Sequence, residues 1–302
     1  MSLSDRASDW GYAAGWRFVR ALPESVAVAL FNAGADFAAR KGGPDQLRRN
    51  LARVLGVPPE QVPDQVVRDS LRSYARYWRE AFRLPSMDLA KVGAQVEASI
   101  AGVERVDAAL AAGNGVILAL PHSGNWDMAG VFAARKWGTF ATVAERLEPE
   151  SLFWRFVRYR ETLGFEIIPE RGGHVPPAKI LAERLRANRV VCLLAERDLS
   201  GRGAPVTFFG ERTNMAAGPA RLAIETGAAL LPVHCWFEPG GWGFRVAEPV
   251  DTAGGVAAAT QRLADRFSDG IAAHPADWHM LQPLWFDDLS PSRRARLATA
   301  GA

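Results

Sequence analysis

The sequence is poor in cysteine, with only Cys192 and Cys235 among 302 residues. Each cysteine lies in an apolar run of strand length, so both are expected to be buried thiols. Two such thiols do not make the disulfide framework of a small secreted domain, and they suit a reducing cytosol. Neither has the close Cys/His spacing of a structural zinc site. The cysteine content therefore excludes a disulfide scaffold as the fold class.

Long apolar runs and long basic runs are also missing. No stretch approaches the roughly 18 uninterrupted apolar residues of a transmembrane helix, and the N-terminus lacks the apolar core of a signal peptide. We therefore expect any contact with a membrane to be made at its surface. No nucleic-acid-binding motif is present either, so nucleic acid is not expected as a partner.

Lysine is scarce among the basic residues. Of 36 Lys and Arg residues, four are lysines, at positions 41, 91, 136 and 179. Arginine binds carboxylates and phosphates through paired hydrogen bonds, which fits phosphate-bearing partners. Codon bias in a GC-rich genome would give the same composition. The composition is otherwise that of a globular protein, with 48% apolar residues and a formal net charge of +3.

The central stretch of the chain reads VILALPHSGNWD over residues 116–127. It begins with an apolar run of strand length, which a proline ends, and a helical pattern follows shortly afterwards. His122 should therefore lie just past the carboxyl end of a buried strand, where open α/β sheets bind their ligands. Asp127 follows about one helical turn into the next element, a spacing that allows its carboxylate to reach back to the imidazole.

From about residue 95 onward, strand-like runs alternate with helical stretches. The alternation predicts an α/β fold with a mostly parallel central sheet flanked by helices. The last two strands should form an antiparallel hairpin at an edge. Strands are predicted near 96–100, 116–120, 139–144, 166–169, 190–195, 206–209, 229–237 and 243–247, and helices near 103–112, 126–137, 149–163, 176–187, 216–226 and 255–273.

The part of the chain before this alternation reads as helical. We predict an N-terminal helical layer over residues 1–90, an α/β catalytic core over 95–286, and a single domain over 1–302. The helix over 9–40 carries aromatic rings beside arginines, which suits a membrane interface, although a terminal helix docked on the core has the same pattern. The helix over 63–83 interleaves rings with arginines, so one face should be core and the other basic.

Of the five histidines, His122 alone has an acid in the relation His-x-x-x-x-Asp, the acid being Asp127. A neutral imidazole takes a proton from a hydroxyl, and an aspartate on its other nitrogen fixes the tautomer and stabilises the imidazolium. General-base catalysis of this kind contributes roughly 10²–10⁴ in rate. The alternative is a structural histidine at a helix start with a surface aspartate.

Other catalytic arrangements have weaker support in the sequence. Ser123 adjoins the histidine, but a Gly-x-Ser-x-Gly elbow would need glycine where Pro121 and Asn125 stand. A metal site lacks His-Glu-x-x-His or similar spacing, and phosphate-binding glycine loops are absent. A second polar cluster, residues 196–203, follows the apolar run 190–195 and should face the same crevice, although charges at strand ends are also ordinary loop residues.

Taken together, the segments resemble the glycerolipid and lipid A type acyltransferases over most of the chain. Finer features are similar to the actinobacterial phosphatidylinositol mannoside acyltransferases. The segments that carry the resemblance are 115–130, 142–147, 158–165, 194–210, 227–233 and 274–282, with the lead-in at 49–51.

The resemblance implies a peripheral enzyme on the cytoplasmic side of the plasma or inner membrane. It implies transfer of a long acyl chain, typically palmitoyl, from acyl-coenzyme A to the 6-hydroxyl of a mannose on phosphatidylinositol mannosides, with the acyl chain in an apolar channel. The expected partners are thus acyl-coenzyme A as co-substrate, the mannoside acceptor and an anionic membrane surface; no further cofactor and no metal are expected. The alternatives are transfer to another lipid acceptor, a thioesterase or metal-assisted hydrolase, and a catalytically silent lipid-binding protein.

The expected site follows from both lines of reasoning. His122 removes the proton of the sugar hydroxyl, Asp127 holds the imidazole, and backbone amides near 123–125 stabilise the oxyanion. By resemblance, the polyol acceptor would be bound by Glu145, Arg160, Glu196 and His279. Phosphates of coenzyme A or inositol would be held by arginines near Arg197 and Arg202, or by those of the helix over 63–83.

Overall fold

The computed structural model describes residues 15–146, 150–198, 201–291 and 294. Part of the predicted first helix, residues 9–14, lies outside the described residues, and residues 15–21 are helical. The longer helices that follow are α1 (Glu24–Ala38), α2 (Asp45–Leu55), α3 (Asp64–Arg83), α4 (Leu89–Ser99), α5 (Glu104–Ala111), α6 (Trp126–Trp137), α7 (Glu150–Glu161), α8 (Pro177–Arg186), α9 (Gly218–Thr226) and α10 (Gly255–Ala273). The strands are β1 (Ile100–Ala101), β2 (Val116–Leu120), β3 (Phe140–Ala144), β4 (Phe165–Pro169), β5 (Val190–Leu194), β6 (Ala204–Phe208), β7 (Glu211–Met215), β8 (Ala229–Glu238) and β9 (Gly241–Val246).

The central sheet has the strand order β1-β9-β8-β2-β5-β3-β4, and its pairs are parallel except for β8 with β9. Strand β2 is buried along its whole length. Ile117 and Ala119 face one apolar core, while Val116, Leu118 and Leu120 face a second core on the other side. This alternation with period two is how a strand covered on both faces contributes to two cores. The predicted α/β fold with a mostly parallel sheet is confirmed.

One predicted strand is wrong. Residues 96–100 were expected to be extended, but most of them belong to helix α4, and β1 is only a two-residue strand beside β9. Asp88 explains the difference, because its side chain accepts the amides of Ala90 and Lys91 and so caps the helix. The buried residues Val92 and Val96 are then four apart, which is helical spacing. The β8–β9 hairpin is antiparallel as predicted, but β1 covers its outer side.

A second difference is the small sheet formed by β6 and β7, which stands apart from the central sheet. The predicted strand over 206–209 exists as β6, but its antiparallel partner β7 was expected to be the approach to a helix. The two strands are joined at Phe209 and Gly210, both with positive φ, as a tight hairpin requires. Strand β7 reads ERTNM, a polar sequence in which only Thr213 and Met215 are buried, so it gives a weak strand signal.

The helical segment that precedes the core packs on it through α3. The arginines of α3, expected to form a basic face, are partnered within the protein: Arg72 with Asp36, Arg76 with Glu80, and Arg79 and Arg83 with Glu24. The aromatic segment over residues 277–286 packs on the core, with Trp278 and Trp285 fully buried. None of the helices within the described residues is both long and apolar enough to cross a bilayer.

Candidate active site

The loop between β2 and α6, residues 121–125, is held from several sides. Asn125 accepts the amide of Met128 with its side-chain oxygen (3.3 Å) and so caps α6. The amide of Gly124 donates to the carbonyl of Asp277 (2.9 Å). A side chain at Gly124, whose φ is +53°, would lie 2.6 Å from the carbonyl carbon of Cys235, so only glycine lets the loop approach β8 this closely. The loop is therefore a fixed platform for His122.

The ring of His122 is bound by Glu196. One carboxylate oxygen, Oε1, lies 2.7 Å from Nδ1 of His122 and accepts the backbone amide of the same residue at 2.8 Å. The contact follows from the sheet, because β2 and β5 are adjacent and parallel, with Leu120 opposite Leu194. The residues just after these two strands must then meet at the carboxyl edge of the sheet.

The protonation of this pair follows from its chemistry. Burial would raise the pKa of the Glu196 carboxyl, but the charge interaction and hydrogen bonds with His122 outweigh burial and hold that pKa below its usual value. The carboxylate can only accept hydrogen bonds, so Nδ1 of His122 carries the proton. In the neutral ring Nε2 then has the lone pair, which is the tautomer of a general base.

The predicted hydrogen bond between Asp127 and His122 is wrong. Asp127 binds Arg160 instead, at 3.0 Å from Nε and 3.3 Å from Nη2, and its second oxygen lies 3.3 Å from the hydroxyl of Tyr77. The physical reason is that the acid of the neighbouring strand already occupies Nδ1. From the first turn of α6, Asp127 reaches the side chains of α3 and α7. The predicted role of Glu196 in the groove wall also changes, because this side chain is 0% exposed beneath His122.

Arg160 and Tyr77 belong to a buried network around Asp127. Burial would lower the pKa of Arg160, but Asp127 and Tyr77 raise it above its ordinary value, so the guanidinium stays charged. Burial raises the pKa of Tyr77 well above its usual range, and Asp127 adds to that shift. The Tyr77 ring stacks on Trp126 at 4.1 Å, and Trp126 meets the His122 ring edge-on at 5.4 Å. The network thus fixes the aromatic wall beside His122.

His279 lies on the other side of His122, and its backbone amide donates to the His122 carbonyl at 2.7 Å. Burial, and then the charge of His122, lower the pKa of His279 to about 3, so its ring is neutral. Its Nε2 lies 2.9 Å from the hydroxyl of Ser73, which donates its single proton to Asp277 at 2.6 Å. Nε2 therefore donates to Ser73, and Nδ1 is an acceptor without a partner among the described residues.

Glu145 and Arg197 form the opposite rim of the same groove, with 3.9 Å between their charged atoms. Arg197 also donates to the side-chain oxygen of Gln282 at 2.6 Å. The groove has a volume of about 330 Å³. Five of the predicted site residues line it, namely His122, Glu145, Arg160, Arg197 and His279, while Glu196 and Asp127 lie behind its wall.

A narrow apolar cavity of about 90 Å³ adjoins the groove and runs between α6 and the sheet. Its charged lining residues are Asp127 and Arg160, which are paired with each other. The cavity and the groove share the lining residues Trp126, Val143, Ala144, Arg160 and Leu194. An apolar chain and a polar head can thus meet at Trp126, next to His122.

The predicted oxyanion donors need correction. The amides of His122, Ser123 and Gly124 are used inside the protein, by Glu196, the Pro121 carbonyl and the Asp277 carbonyl respectively. In the part of the chain that the structure describes, the amides at the start of α6, those of residues 125–127, have no acceptor. A helix N-terminus leaves such donors free and favours negative charge.

Sequence reasoning missed three contributors to the site: Ser73, Tyr77 and Glu80, all on α3. Tyr77 was noted only as one ring of a helix. Nothing in the local pattern marks Ser73 or Glu80, because their partners are far away along the chain. The tight clustering of rings on α3 was the one available signal.

Comparison with known proteins supports the resemblance found in the motifs. A family model described as bacterial lipid A biosynthesis acyltransferase matches residues 2–286. A phosphatidylinositol mannoside acyltransferase of Mycobacterium tuberculosis is 63% identical over 297 residues, which cover 98% of this chain and 94% of that protein. A phosphatidylinositol mannoside acyltransferase of Mycolicibacterium smegmatis is 62% identical over 298 residues, covering 98% and 97%. The chain is therefore an acyltransferase and belongs to the bacterial lipid A biosynthesis acyltransferase family.

Proposed function

We propose that the protein transfers a long acyl chain, palmitoyl, from acyl-coenzyme A to the 6-hydroxyl of a mannose on a phosphatidylinositol mannoside. The observation that carries this proposal is the junction of an apolar cavity and a polar groove at Trp126, whose ring lies 5.4 Å from that of His122. The acceptor is suggested by the relatives, which are named for that activity.

In the proposed reaction, Nε2 of His122 takes the proton of the sugar hydroxyl while the hydroxyl oxygen attacks the thioester carbonyl carbon. The tetrahedral intermediate then collapses, the C–S bond breaks, and the imidazolium returns its proton to the leaving thiolate. The products are the acyl ester and free coenzyme A. Glu196 stabilises the imidazolium through Nδ1, which is the part that sequence reasoning gave to Asp127.

The negative charge of the intermediate needs donors that are already in place. The amides of residues 125–127 supply them in this proposal, since they are unoccupied and stand at the N-terminus of a 12-residue helix directly after the catalytic loop. Loss of one such donor typically costs 10²–10³ in rate.

The acyl chain would occupy the apolar cavity along α6. From Trp126 to Trp137, both of which line the cavity, α6 rises roughly 16 Å. This depth suits a long chain rather than an acetyl or butyryl group. Gly130 faces the cavity, and a side chain there would lie 2.4 Å from the Phe165 ring.

The mannoside head would lie in the groove. Sugar hydroxyls donate strongly to carboxylates, which fits Glu145 on the rim of the groove. Arg197 would serve the phosphate of the inositol lipid or of coenzyme A. Arg160 stands where the groove meets the cavity and is already neutralised by Asp127.

The enzyme would work as a peripheral protein on the cytoplasmic side of the membrane. Val26, Leu30 and Phe37 of α1 lie on one stripe of the helix and are 47%, 50% and 67% exposed. Arg40 and Lys41 follow directly, so apolar side chains and positive charge adjoin, as at an anionic lipid surface.

The membrane contact can be tested by flotation with vesicles containing anionic lipid. We expect wild type to float at low salt and Leu30→Asp to float less, because one exposed apolar side chain of the stripe becomes charged. Ile224→Asp is the matched control, since Ile224 is similarly exposed at 44% but lies on α9. Absence of flotation by wild type, or equal loss in both variants, would contradict the peripheral assignment.

The reaction can be tested with palmitoyl-coenzyme A and purified phosphatidylinositol mannoside, followed by mass spectrometry of the lipids. We expect an acylated lipid from wild type and a loss of roughly 10²–10⁴ in rate for His122→Ala. The matched control is His174→Ala, because His174 is an exposed histidine outside the groove. Free palmitate as the main product would indicate a thioesterase, and transfer to a different lipid would overturn the mannoside assignment.

A further inference from the structure

Glu80 of α3 is a buried carboxylate, 4% exposed, that takes no part in the proposed reaction. Its Oε2 accepts the side-chain amide of Asn125 at 2.7 Å and the indole of Trp242 at 2.8 Å. Its Oε1 accepts Nε of Arg76 at 2.7 Å, and Arg79 lies 3.6 Å away. An ionised side chain is buried only when it is paired and hydrogen-bonded in this way.

Asn125 connects this carboxylate to the catalytic loop. Its Oδ1 caps α6 by accepting the Met128 amide, and its Nδ2 donates to Glu80. The side chain is 0% exposed and has both ends engaged, so rotation would break both hydrogen bonds at once. The other anchors of the loop hold His122 and Gly124; Asn125 is the anchor at the point where the loop becomes the helix.

We propose that Glu80 is a positioning residue for acyl transfer, which acts through Asn125 to fix the amides at the start of α6 relative to His122. The inference rests on the proposed function, in which those amides bind the oxyanion. Because the oxyanion exists only on the way through the transition state, disturbing the amides lowers kcat more than it raises KM.

A variant of Trp242 distinguishes an effect of Glu80 on the position of the loop from an effect on the stability of the fold. Trp242 donates to the same oxygen of Glu80, but it stands on β9 and, among the residues described, its side chain forms no hydrogen bond to the loop. Trp242→Phe therefore removes one hydrogen bond from Glu80 and leaves the bond to Asn125 in place. We expect a lower melting temperature and a kcat within about twofold of wild type.

The hydrogen bond between Glu80 and Asn125 can be tested by exchanging its donor and its acceptor between the two positions. Glu80→Gln cannot satisfy Asn125, Trp242 and Arg76 together, because one of its two ends is a donor. Asn125→Asp brings two buried carboxylates together, while an aspartate still caps α6. In the double variant the glutamine amide can donate to the new aspartate, so the contact is restored with donor and acceptor exchanged.

The experiment measures coenzyme A release from palmitoyl-coenzyme A, with melting temperatures, for the four variants. We expect kcat to fall about tenfold in Glu80→Gln and about 100-fold in Asn125→Asp, with KM for the donor changed less than about threefold. The double variant should recover at least tenfold over Asn125→Asp. A double variant no faster than Asn125→Asp, or a kcat loss in Trp242→Phe equal to that in Glu80→Gln, would overturn the proposal.

Different results would contradict the proposed function and the positioning role of Glu80. If wild type releases coenzyme A without acylating the mannoside, the acceptor assignment is wrong, but the ranking of the four variants still tests Glu80. If wild type acylates the mannoside and the exchanged pair is not rescued, the positioning role is wrong and the function stands.

Discussion

Two buried acids, Glu196 and Asp127, lie near the loop of residues 121–125. They differ in the basic side chain to which each is hydrogen-bonded. Glu196 binds the imidazole of His122, a side chain that can act as a general base. Asp127 binds Arg160, whose guanidinium remains charged throughout. The first pair can take part in a proton transfer, whereas the second can only keep the wall of the site in place. Sequence spacing alone pointed to the second acid, and the contacts identify the first.

The largest effect on stability is expected from breaking the ion pair between Asp127 and Arg160. Asp127→Asn removes the counter-charge of Arg160, whose side chain is 21% exposed at the groove, so we expect the free energy of unfolding to fall by about 1.5–3 kcal/mol in denaturant titrations. Asp36→Asn is the control, since Asp36 pairs with Arg72 at an exposed site and its loss should not be measurable. A drop no larger than that of the control would mean that the Asp127 pair does not support the fold.

A second prediction concerns the histidines that lack a carboxylate partner. Burial lowers the pKa values of His234 and His279 to about 3, against an ordinary value of 6.5. The unfolded chain therefore binds more protons below pH 6.5, and stability is lost as the pH falls from there toward 3. Between pH 6 and 5 the two rings together should cost roughly 2 kcal/mol. Denaturant titrations at both pH values measure this, and His234→Gln should halve the slope.

A flat stability profile between pH 6 and 5 would contradict the neutral state of these rings. The Glu196 carboxyl, whose pKa is lowered, contributes its own loss of stability only at more acidic pH.

The smallest effect is expected on the KM for the mannoside when the hydrogen bond of His279 is removed, because its partner is the hydroxyl of Ser73 instead of a carboxylate. Ser73→Ala removes the hydroxyl that holds Nε2 of His279, so the orientation of this ring, which lines the groove, is no longer fixed. We expect KM for the mannoside to rise about tenfold, the value of one hydrogen bond, with KM for acyl-coenzyme A unchanged. Ser70→Ala is the matched control: Ser70 is buried one turn earlier on α3, and its hydroxyl has no partner among the described residues. Equal effects of the two variants would remove the assigned role of His279.

The local part of the site was predictable from the sequence, and its partners were not. The strand of residues 116–120, the loop with His122 and the following helix are encoded by a continuous pattern of apolar residues, proline and glycine. The acid on His122 comes from a strand 74 residues further along, and it reaches the ring only because β2 and β5 are neighbours in the sheet. Spacing along the chain carries no information about that neighbour.

The same limit explains the other differences. Glu80 meets Asn125 across 45 residues, and no periodic pattern announces such a contact. The segment 89–99 was expected to end in a strand because of its valines, but a capping aspartate and the packing of two valines on one face favoured the helix. Tertiary contacts decided both cases, and propensity is too weak to oppose them.

The proposed mechanism depends on Glu196 as the carboxylate that orients and stabilises the general base His122. The most direct measurement is kcat for acyl transfer by Glu196→Gln beside Asp127→Asn, each assayed at a temperature where it is folded. A glutamine keeps the shape but can present its amide group to Nδ1, which favours the wrong tautomer and no longer stabilises the imidazolium. The account predicts a loss of roughly 10²–10⁴ for Glu196→Gln and a much smaller loss for Asp127→Asn. Wild-type kcat in Glu196→Gln, with the large loss in Asp127→Asn, would contradict it.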